Sequence, residues 1–204
     1  MKISYAICVC TEARELKDLL SFLKRVIDPE DDINVLVDSN RVTEDVRNVL
    51  KRYKDVIVYE REFCGNFSEH RNHHASLCKG DYIFVVDADE IPQEKLIKNI
   101  KGVIEETKAD LIYVPRINIC PGYTEKWLEK HRFNVNENGW INWPDFQGRV
   151  YKNNGVLKWT KGLHETVTGS DKTIGLQASP ILALWHIKSV ERQELQDIFY
   201  KTLT

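Results

Sequence analysis

The apolar positions of the first hundred residues switch period in a regular alternation. Ile3 to Cys10 is a short, largely apolar run of the kind that forms a strand buried on both faces. Leu16, Leu19, Leu20, Leu23, Val26 and Ile27 then recur at helical spacing and predict one face of an amphipathic helix. Ile33 to Val37 predicts a second strand ending at Asp38, and Val42, Val46, Val49, Leu50 and Tyr53 mark a second helical stripe. Val56 to Tyr59 predicts a third strand, and Phe67 to Lys79 a polar helix with Gly80 as its C-cap signal. Tyr82 to Val86 is the most apolar strand and runs into Asp87-Ala88-Asp89-Glu90. Pro92 is then expected to open a helix that turns Leu96, Ile97, Ile100, Val103 and Ile104 inward.

Strand–helix units in series predict an α/β fold with a doubly wound, mostly parallel sheet, because each right-handed crossover returns to the same sheet. In such sheets ligands collect at the carboxyl ends of the strands. Those ends carry Thr11-Glu12, Asp38-Ser39-Asn40 and Asp87-Ala88-Asp89. Beyond Ile119 the pattern changes. Residues 120 to 146 are rich in Asn, Trp, Pro and Gly and predict an ordered loop region with short pieces of regular structure. Short strand-like runs surround His164-Glu165 and Trp185-His186, and Val190 to Leu203 has helical spacing. We read one domain, 1–204, with a nucleotide-type half (1–115) and a variable half (116–204).

A length of 204 residues suits one domain, and 42% hydrophobic with 29% charged residues is a globular balance. The net charge of −2 argues against a nucleic-acid-binding surface, which needs a basic excess, but leaves room for a small pocket for one diphosphate. Nothing reads as a signal peptide or a membrane span, so a cytoplasmic protein, at most peripheral to a membrane, is expected. The five cysteines are scattered without a Cys-x-x-Cys pair, so reduced thiols are expected, with Cys8 and Cys10 on one buried side of their strand. The sequon Asn66-Phe67-Ser68 carries little weight at this length.

Asp87-Ala88-Asp89 can place two carboxylates on one side, within reach of a divalent cation, or of a cation and a ribose hydroxyl. The structural alternative is an acidic strand-to-helix turn. Arg71 lies early in a short helix and could pair with phosphate or carboxylate. His70 and His74 stand four apart and could clasp a metal, but no third ligand lies nearby in sequence, so helix surface or partial packing is the better expectation. Trp127, Trp140, Trp143, Trp159 and Trp185 all fall in the second half, where they could offer platforms to sugar C–H faces or simply fill a core.

Taken in order, Thr11-Glu12, Asp38-Ser39-Asn40, Phe67 with Arg71-Asn72, Gly80-Asp81-Tyr82 and Asp87-Ala88-Asp89-Glu90 resemble the family 2 glycosyltransferases of the GT-A fold. The likeness continues more thinly through Arg149, His164-Glu165 and His186. It departs at Asp38-Ser39-Asn40, which lacks the longer Ser/Thr-rich turn of many relatives. The resemblance implies a nucleotide-sugar-binding first half, an acceptor-side and metal-completing second half, and a UDP-sugar donor. It also implies Mn²⁺ or Mg²⁺, and an acceptor hydroxyl on a glycan, lipid or protein. By it Thr11, Glu12, Asp38 and Arg71 would hold the nucleotide, with Asp38 at the base, Asp87 would face ribose or metal, and Asp89 and His186 would ligate the metal. An inverting transfer also needs a carboxylate base. Glu165 is preferred because His-Glu recurs there in the family, and Asp145, which has a turn alternative after Pro144, is the second candidate.

Two rivals remain at the level of sequence. A sugar-phosphate nucleotidyltransferase would need a glycine-rich loop after the first strand, where Cys10-Thr11-Glu12-Ala13-Arg14 stands instead. A non-catalytic binding domain would have no need of the uncompensated acids Asp87, Asp89 and Glu165.

Overall fold

The structure is a computed structural model and describes residues 1–203. Strands β1 (Ile3–Val9), β2 (Asp32–Asp38), β3 (Ile57–Arg61) and β4 (Tyr82–Val85) are parallel and lie in the order β3-β2-β1-β4. Helices α1 (Ala13–Val26), α2 (Glu44–Leu50) and α3 (Phe67–Leu77) connect them, and α4 (Glu94–Thr107) follows. Alternation along the strands divides the core into two layers. Ile3, Tyr5 and Ile7 join the main core with Leu16, Leu20 and Leu23 of α1 and Ile100 of α4. Ala6, Ile83 and Val85 face the other way, toward Cys78, Tyr151 and Trp159.

The second half extends the same sheet. β5 (Glu90–Pro92), β6 (Leu111–Ile119), β7 (Ile141–Lys152) and β11 (Leu184–Ile187) continue it as β4-β7-β6-β11-β5, and β10 (Thr173–Gly175) also pairs with β6. β7 runs antiparallel to both β4 and β6, which makes this side mixed. β8 (Lys158–Thr160) and β9 (Thr166–Thr168) form a separate hairpin, and Asn72 of α3 bonds the Trp159 backbone on it, N–H and carbonyl alike. The remaining helices are α5 (Glu125–His131) and α6 (Val190–Lys201). Among the described residues no helix is long and apolar enough to cross a membrane.

Four expectations need correction. Residues 120–146 hold the short helix α5 among loops, but they also contain the start of β7, a strand of twelve residues rather than a short piece. Pro144 and Gly148 inside β7, together with register shifts against β6, break the alternation that would have revealed it. Pro92 does not open a helix. It ends β5, opposite Leu184, and α4 begins at Glu94. Gly80 is not a helix cap, since α3 ends at Leu77 and Cys78 is already extended. A side chain at Gly80 would stand 2.5 Å from the Ser4 backbone nitrogen, so the residue is glycine because two backbones meet there. Finally, Cys8 and Cys10 are only partly buried, although all five cysteines are free.

α3 also differs from a solvated helix. Asn66 caps it by accepting from the Glu69 backbone N–H at 3.1 Å, and His70 and His74 are buried at 6% and 2% exposure. No group of three or more His, Cys, Asp or Glu side chains forms a metal cage among the described residues. His74 Nδ1 instead lies 3.5 Å from Cys8 Sγ, and burial pushes that thiol up to about 12. Burial, helped by neighbouring positive charge, lowers His70 to about 4 and His74 to about 3. An unfolded chain protonates both below about pH 6.5, whereas the folded chain does so only near pH 4 and 3. Their stabilising contribution is therefore complete above pH 6.5 and is lost as the pH falls toward 4. Each histidine should account for roughly 1.4 kcal/mol per pH unit in that window. Urea unfolding at pH 7 and pH 5 measures it, and His74→Gln should flatten the slope by about one proton.

Candidate active site

The carboxyl ends of β1, β2 and β4 open into one cavity of about 710 Å³. Glu12, Asp38, Arg71, Asp87, Asp89, Asp145, Glu165 and His186 all line it, and of the sequence-predicted site residues only Thr11 does not. The sequence elements place them from several directions. Asp38 ends β2, Arg71 projects from α3, and Asp87 and Asp89 follow β4. Asp145 lies within β7, so it is a strand residue and not the turn residue its neighbouring proline suggests. Glu165 precedes β9, and His164 before it holds a left-handed backbone (φ 54°), a conformation costing about 1 kcal/mol that turns the chain at this point.

A chain of alternating charges crosses the site. Glu165 Oε1 accepts from Arg71 Nε at 2.6 Å, and an Arg71 terminal nitrogen donates to Asp87 at 2.8 Å. Arg149 bridges Asp87 and Glu90 at 2.6 Å each, and Arg116 bridges Glu90 (3.1 Å) and Asp145 (2.7 Å). The two candidate bases are thus the ends of one network. Its centre is sealed, with Glu90 0% and Arg149 4% exposed. Burial works against the charge on Asp87, but Arg149 and Arg71 outweigh it and hold the carboxyl well below the usual range. The acids at this turn are therefore compensated, and their charge does not by itself exclude a binding domain.

Arg71 is fixed on three sides, because its guanidinium also lies 5.0 Å from the centroid of the Trp159 ring. Arg71→Lys keeps the charge but cannot reach both carboxylates in one plane or stack on the indole. We expect a folded protein destabilised by about 1–3 kcal/mol, read as a lower midpoint in urea.

Asp89 faces a different set of groups. Its Oδ2 lies 3.5 Å from His186 Nε2, 3.4 Å from Lys188 Nζ and 3.8 Å from Arg192. Burial opposes the charge, and the adjacent His186 and Lys188 keep the carboxyl below its usual range. Asn118 sets the orientation of His186. Its amide N–H₂ donates to Asp145 at 2.9 Å, so its carbonyl is the group 2.8 Å from His186 Nδ1, and that nitrogen carries the proton. Nε2 is left turned toward Asp89. One carboxylate and one imidazole, with room for phosphate oxygens, suit Mn²⁺ or Mg²⁺, which commonly bind through one or two protein ligands plus substrate phosphate.

The α6 helix forms a wall of the cavity through Gln193, Gln196 and Tyr200, and its Arg192 pairs with Glu12 (3.2 Å) and Glu15 (2.5 Å). Nothing in the sequence reading pointed to Arg116, Asn118, Lys188 or Arg192. The two cations closely following His186 were the available signal for the last pair. Of the five tryptophans, Trp127 and Trp159 line the cavity, while Trp140 packs edge-on to both Trp143 and Trp185.

Residues 4–167 match the family model described as glycosyl transferase family 2. The chain belongs to that family. Among curated proteins it is 26% identical over 80 residues to the poly(ribitol-phosphate) beta-N-acetylglucosaminyltransferase TarP of Staphylococcus aureus (strain N315), a stretch covering 38% of this chain and 24% of TarP. Among solved structures it is similar to the 1–349 segment of S. aureus TarS in complex with UDP. The TM-score there is 0.67 at 15% identity, over 100% of this chain and 65% of the other. The same segment in complex with UDP-GlcNAc gives a TM-score of 0.64 at 15% identity, over 92% and 59%. The family 2 chain described here thus spans about a quarter of TarP and about three-fifths of the TarS segment, and the structural likeness supports the fold.

Proposed function

We propose that the chain transfers a sugar from a nucleoside-diphosphate sugar, a UDP-sugar, to an acceptor hydroxyl on a glycan, lipid or protein, with Mn²⁺ or Mg²⁺ and with inversion. The observation that carries this reading is the single cavity that gathers Asp38, the Asp89–His186 pair and Glu165. TarS binds UDP and UDP-GlcNAc in an architecture this chain shares, which supports the choice of donor.

Asp89 and His186 would hold the metal, which supplies the positive charge that a departing diphosphate requires. Asp87 is the weaker ligand candidate, because both of its oxygens already accept from arginine. Lys188 and Arg192 add fixed positive charge where the diphosphate negative charge grows. Glu165 is the better base. It accepts one hydrogen bond, from Arg71, and its other oxygen has no partner among the described residues. Asp145 accepts from Arg116, Asn118 and Gln147 across both oxygens. Burial opposes its charge, but Arg116 and those bonds lower its pKa, which makes it a poor proton acceptor. In a single displacement Glu165 takes the acceptor proton as the hydroxyl attacks the face opposite the diphosphate.

Binding to the native state raises its melting temperature. UDP with Mn²⁺ should therefore raise it by several degrees and uridine alone by less. An unchanged melting temperature at millimolar UDP and Mn²⁺ would count against the reading.

A further inference from the structure

We propose that His70 reads the nucleobase, its ring and the Asp38 carboxylate together forming a donor–acceptor edge that selects uracil. The inference rests on the nucleotide-sugar reading and adds to it the residue that chooses the base. At one end of the cavity stand Asp38, Arg41, Phe63 and His70. His70 is 6% exposed, and neither ring nitrogen has a hydrogen bond among the described residues. Nδ1 is sealed from solvent and unpartnered, which leaves Nε2 as the nitrogen able to meet a ligand.

Asp38 is in a matching condition. It is also 6% exposed, and its Oδ1 accepts from the backbone N–H groups of Asn40 and Phe63, each at 3.2 Å. Its Oδ2 carries no hydrogen bond among the described residues. The surrounding groups are flat. Phe63 meets the His70 ring edge-on at 5.5 Å between centroids, and the Arg41 guanidinium lies 4.2 Å from the centroid of the Phe199 ring. Flat aromatic and guanidinium faces are what a planar heterocycle stacks upon.

The donor–acceptor pattern then narrows the base. An ionised carboxylate can only accept, so the base must present an N–H, as uracil does at N3. His70 is held neutral by burial, at about 4, and as the Nε2–H tautomer it can donate to the C4 carbonyl beside that N–H. Cytosine reverses both positions. It puts an unprotonated ring nitrogen opposite the carboxylate and an amino group opposite the histidine. A site built to bond a polar group discriminates strongly against a ligand that cannot supply it.

Calorimetry with UDP and with CDP, each with Mn²⁺, tests this on the parent, His70→Phe and His70→Gln. The parent should prefer UDP by roughly 100-fold. Phe keeps the flat, buried ring without the donor, so UDP affinity should fall roughly 10-fold or more while CDP changes little. Gln, with an amide N–H at a comparable reach, should recover most of the loss. Should His70→Phe fail to fold, ¹⁵N-histidine NMR of the parent decides, with the His70 Nε2 resonance expected to move on adding UDP and not CDP. Equal affinity of the parent for UDP and CDP, a His70→Phe protein that binds UDP like the parent, or a His70 resonance that ignores UDP each overturns the base-reading role alone. A parent that binds neither nucleotide overturns this role and the nucleotide-sugar reading together.

Discussion

Asp89→Asn is expected to weaken Mn²⁺-dependent UDP binding by at least roughly 100-fold, since losing even an outer-shell partner of a metal ligand typically costs 10–100-fold. Asn keeps the size and can still bond Lys188, but it loses the charge that faces His186, Lys188 and Arg192. The sequence suggests that removing an acid from an acidic turn relieves repulsion. The structure reverses that expectation, because Asp89 is surrounded by cations. Asp89→Ala should therefore lower stability by about 1–3 kcal/mol, within the ordinary range of single substitutions, because it leaves Lys188 and Arg192 short of a counter-charge. Asn is the cleaner probe of binding for this reason. Calorimetry with and without Mn²⁺ reads the effect, and unchanged affinity in a folded Asp89→Asn protein would remove Asp89 from the metal site.

Glu165→Gln should leave UDP and metal binding within a few-fold of the parent while transfer falls by roughly 10²–10⁴-fold, the span of a lost general base. Gln preserves the shape beside Arg71 but cannot take the acceptor proton. Asp145→Asn is the paired control. It sits at the far end of the same ion network, so a purely structural disturbance should spread to both variants. A fall in transfer confined to Glu165→Gln assigns the base, and a fall confined to Asp145→Asn exchanges the two roles.

Much of the fold was legible because the first four strands and their helices keep distinct hydrophobic periods. Leu16, Leu19, Leu20 and Leu23 are all fully buried on α1, and β1 to β4 lie side by side and parallel, as strand–helix units in series predict. The second half was harder to read. β7 carries Pro144 and Gly148 and shifts register against β6, and α5 has only seven residues. Asp87 and Asp89 could be picked out because acids at a strand end stand out in a sequence, and Glu165 and His186 because the family resemblance marks their positions. The ion pairs around them could not. Arg116, Arg149 and Glu90 meet only because β5, β6 and β7 converge, and an ion network assembled from separate strands has no spacing signature along the chain. The same holds for His70, for which the sequence predicts a helix-surface or partly packed position and which the packing of α3 against β1 buries.

We propose that one cavity at the strand ends binds a UDP-sugar and passes its sugar on with inversion. NMR of the chain incubated with Mn²⁺, a panel of UDP-, GDP- and TDP-sugars and simple hydroxyl acceptors tests it most directly. The account predicts release of UDP from at least one UDP-sugar and a first-formed product whose anomeric configuration is opposite to the donor's. Retained configuration, or turnover confined to GDP- or TDP-sugars, would contradict it.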